Sequence, residues 1–103
     1  MIIENIQKLC TDRKIRWSAH SLARIQERGL SRNDVIDCIL SGEIIEDYPE
    51  DFPHPSCLIL GYADSSKAVH SVVGTDGEYI YIITAYIPNT NKFEKDLKTR
   101  KRG

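Results

Sequence analysis

At 103 residues the chain has the size of one domain, and 41% hydrophobic with 28% charged residues is the balance of a soluble globular protein, excluding disordered and fibrous classes. Its apolar runs are only a few residues long, as at Leu58-Ile59-Leu60, too short to span a membrane, and Met1 to Lys14 lacks the apolar core and cleavage site of a signal peptide. The net charge of −1 conceals a pattern: residues 1–32 carry seven Lys/Arg and three acids, residues 33–78 carry ten acids and only Lys67, and residues 79–103 carry six Lys/Arg and two acids. Two basic ends around an acidic middle suit a nucleic-acid-facing side or an oppositely charged partner; the plain alternative is a mixed solvated surface.

Ile2, Ile3, Ile6 and Leu9 fall at helical spacing and predict a first amphipathic helix over residues 2–11. Lys14-Ile15-Arg16-Trp17 reads as a short extended link. Ser18 stands at an N-cap position ahead of a second helix from Ala19 to Arg28, and Gly29 suits the left-handed residue that closes it. Ser31-Arg32-Asn33-Asp34 predicts a capping box, with Leu30 and Val35 at the staple positions. Val35, Ile36, Ile39 and Leu40 form the buried stripe of the third helix, which Ser41-Gly42 stops.

The pattern then turns to strands. Glu43 to Tyr48 is the first, and the proline-rich loop Pro49 to Pro55 follows. Cys57 to Tyr62 is the second, ending in a polar turn at Asp64-Ser65-Ser66. Lys67 to Thr75 and Glu78 to Tyr86 are β-rich runs joined by Asp76-Gly77, which predicts a hairpin with a type I′ turn. Pro88 ends the last strand, Phe93 and Leu97 suggest a short closing helix, and Lys98 to Gly103 reads as a basic tail that frays. The expected class is α+β: two to three N-terminal helices on a curved antiparallel sheet of about four strands, one domain over residues 1–97 with a tail at 98–103.

Cys10, Cys38 and Cys57 are odd in number and widely spaced, and no C-x-x-C pair occurs. They read as buried or half-buried thiols in a reducing cytoplasm. No ligand cluster suggests zinc, and no motif suggests a cofactor.

Two features carry possible chemistry. On the second helix Arg24 and Arg28 lie about 40° and 80° from His20 at roughly 100° per residue, so the three form one polar stripe. Guanidiniums suit phosphate, and a histidine beside them can move a proton near neutral pH. The alternative is an ordinary solvated helix face. His70 is the second. Alternation places Ala68, His70 and Val72 on one face and Val69, Ser71 and Val73 on the other, while Ile80, Ile82, Thr84 and Tyr86 share a face on the partner strand. Thr84 and Tyr86 are thus expected beside His70 if that sheet face meets the second helix, and His70 is either an active-site group or a core histidine bonded to a hydroxyl. His54, in the proline-rich loop, reads as surface.

Trp17-Ser18-Ala19-His20, Arg24, Glu27-Arg28-Gly29-Leu30-Ser31 and Asp34-Val35, with the strand Val69-His70-Ser71-Val72-Val73 and the ending Ile82-Ile83-Thr84-Ala85-Tyr86-Ile87-Pro88, resemble a bacterial domain-of-unknown-function family, number forty-two fifty-eight. The resemblance covers about residues 14–97. It implies a fold similar to the RelE and MqsR toxins and a genetic neighbour similar to the zinc-finger antitoxin MqsA. It further implies a metal-free endoribonuclease of a toxin–antitoxin module, in which a ribose 2′-OH attacks the adjacent phosphate. His20, Arg24, Arg28, His70 and Tyr86 occupy the family's motif positions, with either histidine as acid or base, the arginines on the phosphate and Tyr86 on phosphate or base. Toxins of the RelE type are often strongly basic, and this chain is close to neutral. The rival expectation is a non-catalytic module whose His/Arg stripe and acidic middle bind a protein.

Overall fold

The computed structural model describes residues 1–64 and 66–102. Ser65 of the expected turn and Gly103 of the expected tail lie outside the described residues. The class is α+β: helices α1 (Ile3–Thr11), α2 (Ala19–Glu27) and α3 (Arg32–Ser41) accompany strands β1 (Ile15–Trp17), β2 (Glu43–Tyr48), β3 (Ser56–Ala63), β4 (Lys67–Thr75) and β5 (Ile80–Tyr86). The sheet is open and mixed, with strand order β1-β5-β4-β3-β2. It has five strands rather than four, because the short link read before α2 is an edge strand pairing parallel with Ile80–Ile82. Three residues are too few for alternation to reveal a strand. No described helix is long and apolar enough to cross a membrane.

Local chemistry sets the helix ends. The Ser18 hydroxyl accepts from the Ser21 amide at 3.0 Å and the Ser18 amide donates to the Ser21 hydroxyl at 3.3 Å. The Ser31 hydroxyl accepts from the Asp34 amide at 3.1 Å, and the Asp34 carboxylate accepts from the Ser31 amide at 3.0 Å. Leu30 and Val35 around that cap are both buried. Gly29 has φ of +77°, the left-handed residue that closes α2.

The core lies between the helices and one face of the sheet. Ile6 and Cys10 of α1, Ile25 of α2 and Val35, Cys38 and Ile39 of α3 meet Cys57, Ile59, Val69, Val73, Ile80, Ile82 and Ala85. All three cysteines are free and buried. Helix α3 sits so close to β3 that a Cβ built on Gly61 stands 1.9 Å from the Cys38 carbonyl oxygen. Beside that contact the Cys38 thiol donates to the Val69 carbonyl at 3.3 Å and accepts from the Ser71 hydroxyl at 3.3 Å.

The hairpin forms at Asp76-Gly77, with a different turn from the expected one. Thr75 pairs with Ile80, which leaves a four-residue loop, and within it only Gly77 has a positive φ, +92°. The Asp76 carboxylate replaces the type I′ geometry by accepting from the Glu78 and Tyr79 amides, each at 2.8 Å, and from the Tyr81 hydroxyl at 2.6 Å. The predicted closing helix is absent among the described residues. Residues 89–102 form turns, with a single bridge between Phe93 and Arg100. His54 is half-buried rather than surface, stacked on Tyr81 at 5.0 Å between ring centroids.

Two tests follow from these contacts. Gly61→Ala meets backbone that no rotamer change relieves, and is expected to cost about 3 kcal/mol, read as a lower urea midpoint with unchanged slope. Asp76 has its carboxyl pulled from 3.8 down to about 2, by the Tyr81 hydroxyl first and then the Tyr79 and Glu78 amides. Its stabilisation is present above 3.8 and is lost as pH falls toward 2, so Asp76→Asn should flatten the acid titration of the hairpin resonances in that window.

Candidate functional site

The second face of the sheet is built by two bulges. Strict alternation would put Ile45 beside Leu58 and Ile83 beside Val72. Instead the β2–β3 register skips Ile45, so Glu46 pairs with Leu58, and the β4–β5 register skips Ile83, so Thr84 pairs with Val72 and Tyr86 with His70. The expected shared face of Ile80, Ile82, Thr84 and Tyr86 is therefore broken. Ile80 and Ile82 enter the helix-side core, and Thr84 and Tyr86 join His70 on the opposite face. Glu46 reaches the same face.

Residues 89–102 cover this face. Phe93 is buried, and its ring meets the His70 ring edge-on at 4.7 Å, with Tyr86 on another side at 5.4 Å. His70 has no solvent exposure. Its Nε2 bonds the Leu97 carbonyl oxygen at 2.7 Å; a carbonyl only accepts, so Nε2 carries the hydrogen and Nδ1 holds a lone pair. Nδ1 has no hydrogen-bond partner. The expected hydroxyl partner is thus replaced by a main-chain carbonyl, and a basic nitrogen is left unused. Leu97 adopts φ of +62°, a backbone conformation costly for a side chain of its kind.

Beside this buried histidine a cavity of about 420 Å³ opens, lined by Arg28, Tyr86, Ile87, Asn89, Lys92, Phe93 and Arg100. Strand β1 pairs only as far as Ile82, so the edge of β5 beyond it is free, and Arg28 fills the gap. Its Nη1 donates to the Thr84 hydroxyl at 2.7 Å and the Ala85 carbonyl at 3.1 Å, leaving Nε and Nη2 without a protein acceptor among the described residues. Arg100 donates from Nε and Nη2 to the two Glu46 carboxylate oxygens at 2.7 and 3.0 Å, and lies 4.9 Å from the Phe93 ring centre. Lys98 pairs with Glu43 at 2.5 Å. Lys98 and Arg100 of the expected tail thus both make ion pairs to β2.

Electrostatics follows from this placement. Burial pushes the His70 imidazole below the ordinary histidine value, outweighing the Leu97 carbonyl and the Glu46 carboxylate. The Arg100 guanidinium holds Glu46 low, and burial raises the Tyr86 phenol.

Of the sequence-predicted residues, Arg28 and Tyr86 line the cavity and His70 lies one ring behind its wall. His20 and Arg24 are exposed on α2 and do not line it. Glu46, Lys92, Phe93 and Arg100 were missed as site residues. The charge pattern held a signal for Glu46 and Arg100, as an acidic strand and a basic terminus with opposite charges to share. Among the described residues no three His, Cys, Asp or Glu side chains group closely enough to hold a metal ion.

A family model described as a domain of unknown function, DUF4258, matches residues 17–87. No curated protein and no solved structure matches the chain.

The neutral His70 supplies a test. Its folded form binds a proton less readily than the unfolded chain, so the two states differ below the ordinary value of 6.5. Stability is full above that value and falls as pH drops through the lower folded one. Urea midpoints taken from neutral pH downward should show that fall, and His70→Gln should remove it.

Proposed function

We propose that this chain, which belongs to the DUF4258 family, holds an RNA phosphate in the cavity between Arg28 and Tyr86 and cuts the adjoining phosphodiester without a metal, as a RelE- or MqsR-like toxin would. The observation that carries the reading is the docked Arg28. Two acceptors on β5 fix its guanidinium while its remaining donors have no acceptor among the described residues, and Tyr86, Lys92 and Arg100 line the same cavity. Such a fixed, planar donor set fits phosphate oxygens two at a time.

In this reading His70 Nδ1, an imidazole nitrogen without a protein partner behind the Phe93 ring, takes the 2′-OH proton once that ring moves aside. The oxygen then attacks phosphorus, a cyclic 2′,3′-phosphate forms as the P–O5′ bond breaks, and the leaving 5′-oxygen takes a proton from water while His70 gives its own back to solvent. Arg28 and Lys92 offset the charge that builds on the phosphate. Exposed Arg24 and His20 lie farther along α2, where Arg24 extends the cationic surface for the RNA backbone and His20 offers a hydrogen bond, rather than acting as catalytic groups. The antitoxin partner implied by the resemblance, a zinc-finger protein, is part of the same proposal.

A second reading, a binding module without catalysis, is favoured by one observation: His70 has no exposed surface. The experiments separate the two. Binding of a single-stranded RNA oligonucleotide is measured against salt, and Arg28→Ala should weaken it and reduce the salt slope by about one. RNA cleavage is followed with chelator present, and His70→Ala should lower it by about 10²–10⁴-fold. Binding that depends on Arg28, with no cleavage by the wild type, would establish the binding module. Binding indifferent to Arg28 would remove both readings.

A further inference from the structure

We infer that residues 89–102 form a strap that gates His70, and that Arg100 is its latch, held by Glu46 when the strap is shut and by a phosphate-bearing ligand in the cavity when it opens. The inference deepens the reading above and rests on it for the ligand.

The strap is a unit in its own right. Within it the Leu97 amide donates to the Glu94 carbonyl at 2.9 Å, the Glu94 amide to the Thr99 carbonyl at 2.8 Å and the Lys101 amide to the Lys92 carbonyl at 2.9 Å. These bonds survive if the unit swings away. Its polar ties to the sheet are few: the Leu97 carbonyl on His70, Lys98 on Glu43 and Arg100 on Glu46. The Phe93 ring is its buried apolar anchor.

Arg100 is the tie that a ligand can take. Its guanidinium both lines the cavity and forks onto Glu46. A phosphate held by Arg28, which lies on α2 outside the strap, brings more charge and more acceptor oxygens than one carboxylate, and competes for the Arg100 donors. Transfer of Arg100 removes the cation from Glu46 and from the Phe93 ring, loosening the ring that covers His70. Two features of the fold belong to such a device. His70 Nδ1 is buried with no protein hydrogen-bond partner among the described residues, which leaves it available to a ligand. Leu97 holds its carbonyl on His70 only by adopting a left-handed conformation, which release relieves.

Diethyl pyrocarbonate, which acylates unprotonated imidazole, reads the gate directly. Its rate at His70 is measured by mass spectrometry on the intact chain, with exposed His20 as the internal standard. In the wild type His70 should react far more slowly than His20. Glu46→Gln, and separately the exposed-side variant Arg100→Gln, should each raise the His70 rate by about five-fold, the effect of one lost ion pair. Saturating pyrophosphate should raise it in the wild type. The strap is overturned if His70 already reacts as fast as His20, or if both variants leave the ratio unchanged. If the variants respond and pyrophosphate does not bind, the gate stands and the phosphate reading falls. If pyrophosphate binds without changing the ratio, the phosphate reading stands and the latch falls.

Discussion

The fold hangs on the contact between Cys38 of α3 and Gly61 of β3. Only a residue without a Cβ lets the helix backbone come this near the strand, and the Cys38 thiol then bonds both the Val69 carbonyl and the Ser71 hydroxyl of the next strand. That seam commits one face of the sheet to the helices. The face carrying Leu58, Leu60, His70 and Tyr86 is left to the segment over residues 89–102, with His54 of the proline-rich loop stacked on Tyr81 farther along it.

The two faces are consequently covered by different physics. On the helix side, close-packed Ile, Val, Ala and Cys side chains supply burial that is lost only when the domain unfolds. On the other side, one buried ring, one histidine–carbonyl bond and two ion pairs hold a segment that lies in turns. Exposed ion pairs contribute little each, so this cover belongs to the weaker end of local stability. The costly features collect under it: an unpartnered imidazole nitrogen and a leucine in the left-handed region.

The charge distribution takes on a different meaning in three dimensions. Part of the acidic middle and part of the basic end are two halves of one intramolecular interaction, Glu43 with Lys98 and Glu46 with Arg100. The basic groups on the other side of the cavity, Arg28 and Lys92, have no such counterpart among the described residues and give the site its sign. A near-neutral chain therefore still presents a local cationic surface.

The sequence by itself determined the elements whose signals are local. The Ser31–Asp34 capping box, the left-handed Gly29, the buried stripe of Val35 and Ile39 and the Asp-Gly hairpin depend on residues a few positions apart, and each is readable along the chain. It also singled out Arg28, His70 and Tyr86 as residue types able to handle phosphate. Tyr86 beside His70 was expected; the tertiary structure decided that their face turns away from the helices and toward Arg28 and the C-terminal segment. The bulges at Ile45 and Ile83 invert the alternation, and it is this inversion that sets Glu46 and Tyr86 on the face of His70. Period-two reasoning cannot see an extra residue in a strand, because its position depends on the register of the neighbour. Nor can local pattern show that Phe93 closes over a strand more than twenty residues earlier, since that contact is fixed only once the helices have claimed the other face.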